Sequence, residues 1–473
     1  MANTLSLVVS GSAAKSLNDS VHYGLKSYRI KTSPDGEDVE DTVVVDVLGT
    51  SNDDLAANVR KLEGIAEYAR QFAASKGKNF VYLAYQPGTM TNTSYAMVRS
   101  IEVILPDDTM DGSSVAGNMF ENVTLKIKRE GWWRGAIPGE GVSYSKTTLE
   151  SDYAGTVIYA DYTSDSSEDV EGTAPALPYF SAAMGSNYDF HRIVVGIRSD
   201  HVHPALTSFQ YIWECESAPA GTRDADTAAI DDAAYSGGHA LSTSFAASAA
   251  LIRRYYIRLE DVLGGAPTNA QCHANVGRYR VWLRCWLTAG SSSCTVKLKY
   301  GAADTAYDIL AGNLQTVTHT AAHWIDCGIV AMPPPGFMTS ETIENEMTNA
   351  YLSLYASRAS GAAALVTDCF AMVPVDECYF DFSATPELVD AGVYGSGFNT
   401  YGPYGLAMWT QRAAGATSIT LKGDPILPLG DGRAVIIPMV YNAGFWEAAD
   451  VAGETSNIPI GFVQRYRSVR GLV

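Results

Sequence analysis

The stretch Val123-Thr124-Leu125-Lys126-Ile127-Lys128-Arg129-Glu130-Gly131-Trp132-Trp133-Arg134-Gly135 alternates apolar and charged residues, then breaks into a tryptophan pair between two glycines. A period of two marks a strand with one face buried. The same alternation precedes it in Thr42–Val47, Phe80–Tyr85 and Val98–Leu105. Between the first two of these the period changes. Ser51-Asn52-Asp53-Asp54 offers a hydroxyl and carboxylates to the orphan N–H groups of a helix start. Leu55, Val59, Leu62, Ala66, Ala69 and Phe72 then recur at steps of three and four, with Arg60, Lys61, Glu63, Glu67 and Arg70 largely on the other side. Lys76-Gly77-Lys78 is expected to end the helix, with cations at its negative pole and a glycine for a left-handed cap. The first third therefore reads as strands around one amphipathic helix, an arrangement that is structural and not enzymatic.

That order, with the helix, the edge-type strand Val98–Leu105 and Asn122–Ile127 followed by Arg129-Glu130-Gly131-Trp132-Trp133, resembles the N-terminal belt domain of distal tail proteins. These form the ring joining a long-tailed phage's tube to its tip. The resemblance covers residues 1–140. It implies a virion protein at the distal end of the tail, made in the host cytoplasm. It also implies a homohexameric ring that contacts the tail tube protein and the tail hub or tip proteins.

The chain has 473 residues, enough for about two to four domains. Charged residues make up 18%, below the roughly 25% of ordinary soluble domains, while 42 Gly and 27 Tyr suit β-rich protein. A net charge of -19 argues against nucleic-acid recognition, which needs clustered Lys and Arg. The acidity serves solubility or mates with basic neighbours. The N-terminus lacks the positive, then apolar, pattern of a signal peptide, and no run of ~20 apolar residues suggests membrane insertion. The seven cysteines, Cys215, Cys272, Cys285, Cys294, Cys327, Cys369 and Cys378, show no Cys-x-x-Cys spacing and read as reduced core thiols.

Past the tryptophans, strands are expected at Thr156–Ala160 and His191–Ile197, separated by an acidic, Ser-rich loop from Asp161 to Glu171. That loop lacks the regular ligand spacing of a calcium loop and reads as solvated. His201 and His203, with Asp200 beside them, could approach a metal from one strand face, but no third ligand can be named. Gly221–Ala250, rich in small residues, reads as a long loop. Strand-like blocks follow at Leu251–Leu259, Tyr279–Thr288, Cys294–Tyr300, Trp324–Met332, Ala350–Ser357 and Leu365–Val373, the spacing of a sandwich or jelly roll. Residues 206–378 resemble a carbohydrate-binding-module jelly roll. Glu214-Cys215-Glu216 stands at the opening strand, Gly277-Arg278-Tyr279-Arg280-Val281 at the Gly-x-Tyr-x-Val strand, and Val366-Thr367-Asp368-Cys369-Phe370 at the closing one. The resemblance implies that Glu214, Glu216 and Asp368 could hold a structural calcium ion. Cys215 departs from it by replacing the usual Ala, and no further acidic ligand is identifiable. Sugar binding would need exposed aromatic platforms, for which Tyr255, Tyr256, Trp282, Trp286, Tyr300, Trp324, Tyr351 and Tyr355 are available. Most lie inside strand patterns, where core packing is the simpler role.

Gly395–Gly405 reads as a Gly/Tyr loop and not a phosphate cradle. The strands Ser418–Leu421, Arg433–Tyr441 and Ile460–Tyr466 are expected to pair with those before the jelly roll. The expected organisation is therefore 1–140 as the ring-forming domain, 141–205 plus 379–473 as a β-sandwich, and 206–378 as the jelly roll. The expected fold class is mainly β with one α-helix near the N-terminus. Gly-x-Ser-x-Gly and His-Glu-x-x-His are absent, and His191, His201, His203, His273, His319 and His323 are scattered, so no enzyme, catalytic residue, cofactor or metal site is assigned. The runner-up reading is a receptor-binding adhesin or carbohydrate-binding tail-tip protein. A cellular carbohydrate-binding protein comes third, because such modules work outside the cell. In either phage reading the peripheral domains could contact host glycans.

Overall fold

The computed structural model describes residues 3–9, 12–33, 37–71, 81–88, 92–106, 118–135, 145–146, 150–152, 157–162, 174–180, 192–199, 209–246, 248–288, 293–301, 309–310, 313–332, 350–384, 398–401, 406–409, 419–424, 432–442, 444–448 and 460–466. The fold is mainly β, in antiparallel sheets. The chain divides into two compact units, where three domains are expected from the sequence. The first is Met1–Tyr144 with Glu171–Tyr179 and Phe462–Val473; the second is Ser145–Val170 with Phe180–Gly461.

The first unit contains β1 (Thr4–Val9), β2 (Lys15–Ser16), β3 (Tyr23–Arg29), β4 (Val39–Leu48), α1 (Asn52–Arg70), β5 (Val81–Gln86), β6 (Ser94–Ile104), β7 (Met119–Arg129) and β8 (Trp133–Arg134). One sheet runs β2-β1-β5-β6-β8 and continues to Arg465 and Tyr466, which pair with Arg134 and Trp133. A second runs β3-β4-β7-β6. β6 belongs to both: Tyr95 and Met97 pair with Ala84 and Tyr82, whereas Val98 to Ile104 pair with Arg129 to Thr124. The register slips between Val98 and Ser100, and such a bulge bends a strand from one sheet into the next. Beyond the slip β6 is an edge of the second sheet among the described residues, as its sequence suggests; β3 is the other edge.

α1 starts where the sequence puts it. Ser51 Oγ accepts from Asp54 N at 3.2 Å, and the Asp54 carboxylate accepts from Thr50 N at 2.9 Å. Leu55, Val59, Leu62, Ala66 and Ala69 are buried in one core with Val43, Val45, Val98, Leu125, Ile127 and Trp133. Asn58 joins them on the buried face: its Nδ2 donates to Leu48 O at 2.8 Å, and Tyr23 Oη donates to its carbonyl at 3.0 Å. Phe72 and Lys76-Gly77-Lys78 lie outside the described residues.

In the second unit the six expected jelly-roll strands are all present, within one or two residues at each end. Ala249–Arg258, Tyr351–Arg358 and Cys294–Gly301 build a five-stranded sheet with Ile309–Leu310 and Gln315–Val317. Gly277–Leu287, His323–Met332 and Ala363–Pro374 belong to a larger sheet. Val296, Leu298, Leu352 and Leu354 from the first share a core with Val281, Leu283, Phe370 and Leu365 from the second. The larger sheet extends to Arg192–Ser199, hydrogen-bonded between Cys378–Ala384 and Gly432–Asn442, so strands from before and after the jelly roll meet there. Gly196 is needed at that crossing, since a Cβ would lie 2.3 Å from Pro374 O.

Two expected loops are corrected. Within 221–250, Thr227–Asp231 and His239–Phe245 form a hairpin, the latter strand pairing onto Leu365 and Thr367. Small residues suit it, because Thr227 and Thr243 meet hydroxyl to hydroxyl at 2.9 Å in the interior. Within 395–405, Phe398–Tyr401 is a strand paired with Leu406–Trp409. Two short helices, Leu259–Leu263 and Asn269–Ala274, add to the one expected. The first is capped by Asp261, which accepts from Arg258 N at 2.9 Å, and closed by Gly264 at φ 72.

Candidate functional site

The motif that opens the sequence argument becomes a clamp inside the first unit. Arg129 and Asp41 are fully buried and paired through Nε and Oδ2. Asp41 Oδ1 also accepts from Lys31 N at 2.7 Å, and Arg129 donates to Glu130 O at 2.8 Å and Lys31 O at 2.6 Å. The Arg129 guanidinium carbon lies 4.3 Å from the centre of the Trp133 ring. Arg134 grips Glu130, four residues before it, with two bonds of 2.6 Å, and Glu130 Oε1 accepts from Met97 N at 2.9 Å. Charged groups so shielded survive only when their hydrogen-bonding capacity is met by fixed partners. This clamp ties β4, β6, β7 and β8 together, and its charges are occupied holding the framework.

The carboxylates singled out at the jelly roll's opening and closing strands are drawn together, and protein donors take up the oxygens of Asp368 and one oxygen of Glu214. Asp368, fully buried, accepts from Ser236 N at 2.9 Å and from Arg284 Nη1. Glu214 Oε1 accepts from Ser236 Oγ at 2.7 Å. Glu216 Oε2 is buried with no hydrogen-bond partner. Burial pushes the Glu216 carboxyl up to about 7, and the Asp368 charge adds to the rise. Burial also raises Asp368, against the opposing pull of Arg284 and Ser236. Calcium needs six to eight oxygens facing one point. Among the described residues no group of three His, Cys, Asp or Glu side chains is placed to hold a metal, and the Arg284 guanidinium supplies the local positive charge. The residues present do not fit the ion that the resemblance implies.

The seven cysteines are free and buried. Cys215 Sγ lies 3.2 Å from Tyr255 Oη, which is 2.9 Å from Thr367 Oγ1, and burial holds both the thiol and the phenol well above their ordinary values. Protonated and enclosed, they are core residues and not nucleophiles.

Of the aromatic candidates, Tyr255, Trp282 and Trp324 are buried. Tyr300 packs against the same core, and Trp286 lies 5.3 Å from Tyr235. Tyr256, Tyr351 and Tyr355 differ. Alternation turns Ile257, Leu352, Leu354, Val296 and Leu298 into the core, so these tyrosines occupy the other face of the five-stranded sheet, half-buried. Their rows follow the register. Arg253, Tyr355 and Lys297 lie side by side; next come Tyr256, Ser353 and Lys299; then Arg258, Tyr351 and Gly301. The Tyr256 and Tyr351 ring centres are 5.6 Å apart at 44°. Arg253 stands 4.7 Å over the Tyr256 ring and Lys299 Nζ 4.0 Å over that of Tyr355. Arg258 is held by Asp261, with bonds of 2.9 and 2.6 Å, and by Glu260. The tyrosines can be counted from the sequence, but their assembly with Arg253, Lys297 and Lys299 depends on strands far apart in the chain.

Of the histidines, the structure brings His319 and His323 together. His319 stacks on Phe445 at 4.1 Å and meets Glu447 through Nε2 at 2.8 Å, while His323, buried, lies edge-on at 5.4 Å. Burial lowers the His323 value, and the neighbouring His319 charge acts in the same direction. His191, Asp200, His201, His203 and residues 163–171 of the acidic loop lie outside the described residues. No helix among the described residues is long and apolar enough to cross a membrane.

No protein-family model and no curated protein sequence matches the chain. Among solved structures, it is similar to the CBM22-1 xylan-binding domain from Paenibacillus barcinonensis Xyn10C, at 17% identity and a TM-score of 0.21, over 41% of this chain and 99% of that one. It is also similar to a chain of the phage p2 baseplate in its activated conformation, at 8% identity and a TM-score of 0.21, over 78% of this chain and 98% of that one. A third likeness is to TmCBM61 in complex with β-1,4-galactotriose, at 14% identity and a TM-score of 0.17, over 37% and 99% of the two chains. Likenesses this faint fix neither fold nor function.

Proposed function

We propose that this chain is a non-catalytic structural protein of a tailed phage, a distal tail ring linking the tail tube to the tail tip or baseplate. In this reading the first unit forms a homohexameric ring that contacts the tube and the hub or tip proteins, and the second unit reaches toward host glycans. The observation that carries it is the construction of the first unit. The buried Arg129, Asp41, Arg134 and Glu130 are committed to the clamp, while the second of its sheets leaves both edges, β3 and the later half of β6, unpaired among the described residues. Open edges are positions where another copy can add a strand, and two different edges per subunit suit a head-to-tail ring. Six copies would also multiply a weak sugar contact into useful avidity.

Mass photometry of the purified protein at several concentrations, with negative-stain imaging, tests this. A species of about six subunits with a central hole is expected. A stable monomer or trimer that binds glycans would replace the ring with the second reading, a receptor-binding adhesin or carbohydrate-binding tail-tip protein. The tyrosine-bearing sheet face of the second unit is what favours that alternative.

A further inference from the structure

We infer that the outer face of the five-stranded sheet takes an anionic polysaccharide, one bearing carboxylate or phosphate groups along its chain, in preference to a neutral one. This rests on the glycan-contact reading and narrows it.

The three principal strands of the sheet, Ala249–Arg258, Cys294–Gly301 and Tyr351–Arg358, contain Arg253, Arg254, Arg258, Lys297, Lys299 and Arg358 and not one Asp or Glu. The chain as a whole carries 52 acidic residues against 33 Lys and Arg, so this composition runs against the background. Two of the six cations, Arg254 and Arg358, are buried, and Arg258 is neutralised by Asp261 and Glu260. On the outer face among the tyrosines lie Arg253 and Lys299, each over a tyrosine ring, and Lys297, which makes no ion pair among the described residues. A local excess of one sign concentrates ligands of the other.

The ring geometry points the same way. A neutral sugar binds an aromatic platform by laying its C–H face on the ring, which must be open. Here Lys299 already stands over Tyr355 and Arg253 over Tyr256, while Tyr351 is tilted toward Tyr256. A neutral pyranose would have to displace a cation from its ring and would return nothing to it. A uronate or phosphate group can draw the same cation into a charge-assisted bond and leave the ring for the sugar. The phenol hydroxyls supply further donors for the saccharide's oxygens.

The test uses the full-length protein in affinity electrophoresis and calorimetry. The probes are polygalacturonate, its fully methyl-esterified form, a poly(glycerol phosphate) polymer, and poly-glutamate as a sugar-free polyanion. Binding to polygalacturonate or to the phosphate polymer is expected, at least roughly tenfold tighter than to the ester and weakening as salt rises. Whichever of the two binds identifies the anionic group. Lys297→Gln/Lys299→Gln should lose about tenfold in affinity for the acid and keep its affinity for the ester, with an unchanged melting temperature showing that it is folded. Equal binding of acid and ester would overturn the charge preference and leave glycan contact standing. Equal binding of poly-glutamate would overturn it as well, by showing a patch blind to sugar. If no saccharide binds at any salt concentration, the glycan-contact reading itself falls, and the inference with it.

Discussion

Two clusters of buried charge, one in each unit, are built in opposite ways. In the first, Arg129 is matched to Asp41 and Arg134 to Glu130, each carboxylate meeting a guanidinium and a backbone N–H as well. In the second, the carboxylates of Glu214, Glu216 and Asp368 gather at the jelly roll's opening and closing strands, where Arg284 meets Asp368 and Glu216 carries a buried oxygen without a donor. A matched pair leaves neither buried charge without its counter-charge. In the acid-rich cluster burial raises the Glu216 and Asp368 carboxyls, so the folded state favours taking up a proton there. The first arrangement suits a part whose shape must not change. The second leaves the jelly roll's opening and closing strands sensitive to their surroundings.

The contrast breaks first at Arg129. Arg129→Ala leaves Asp41 enclosed with no counter-charge, which should destabilise the first unit by about 3–5 kcal/mol. Denaturant unfolding followed at separate sites in each unit should show the first unit's transition moving and the second unit's staying. If both move equally, the clamp does not belong to the first unit alone. Arg284→Gln should cost less, on the order of 2–3 kcal/mol at pH 8, because the amide can still donate to Asp368 and Ser236 N remains its second donor. That loss should shrink on acidification.

Glu216 sharpens the comparison further. Its carboxyl is raised from 4.5 to about 7, so the folded chain binds that proton more tightly than the unfolded one does. The resulting stabilisation is fully present below about 4.5 and is lost as the pH rises through about 7. Glu216→Gln removes the titration. At pH 8 the variant should exceed the parent by on the order of 2 kcal/mol, and near pH 4 the two should coincide. A flat difference across that range would show that Glu216 keeps its ordinary value.

The legible parts of this molecule share one physical basis: a short-range period read against a large core. Leu55 through Ala69 lie on the buried side of α1, and the six jelly-roll strands fall at their expected positions, because burial of alternating or helical stripes dominates there. The hairpin at Thr227–Phe245 was not legible, since its strands are built from Ala, Ser and Thr and the packing partner, not propensity, makes them strands. The clamp was half legible. The Arg-Glu-Gly-Trp-Trp phrase stands out, but Asp41 is 88 positions away and nothing local marks it. His319 and His323 looked scattered because Phe445 and Glu447, which assemble them, come from a distant strand. The sheet face is of the same kind, for its cations and rings meet only through the pairing of 249–258, 294–301 and 351–358.

That face also yields the smallest expected effect on stability, and the one that separates it most clearly from the clamp. Lys297 is half-buried, has no ion pair among the described residues and sits beside Tyr355 on a surface whose stability comes from the opposite face, where Val296, Leu298 and Leu354 are packed. Removing its charge as Lys297→Gln keeps the aliphatic stem over the sheet and should change stability by less than about 0.5 kcal/mol, read as a shift of a degree or two in melting temperature. A gain would mean that Lys297, Lys299 and Arg253 repel one another and that the fold tolerates this repulsion for the sake of a ligand. A loss of more than about 1 kcal/mol would mean that the lysine is structural after all, like Arg129, and the face would then belong with the clamp.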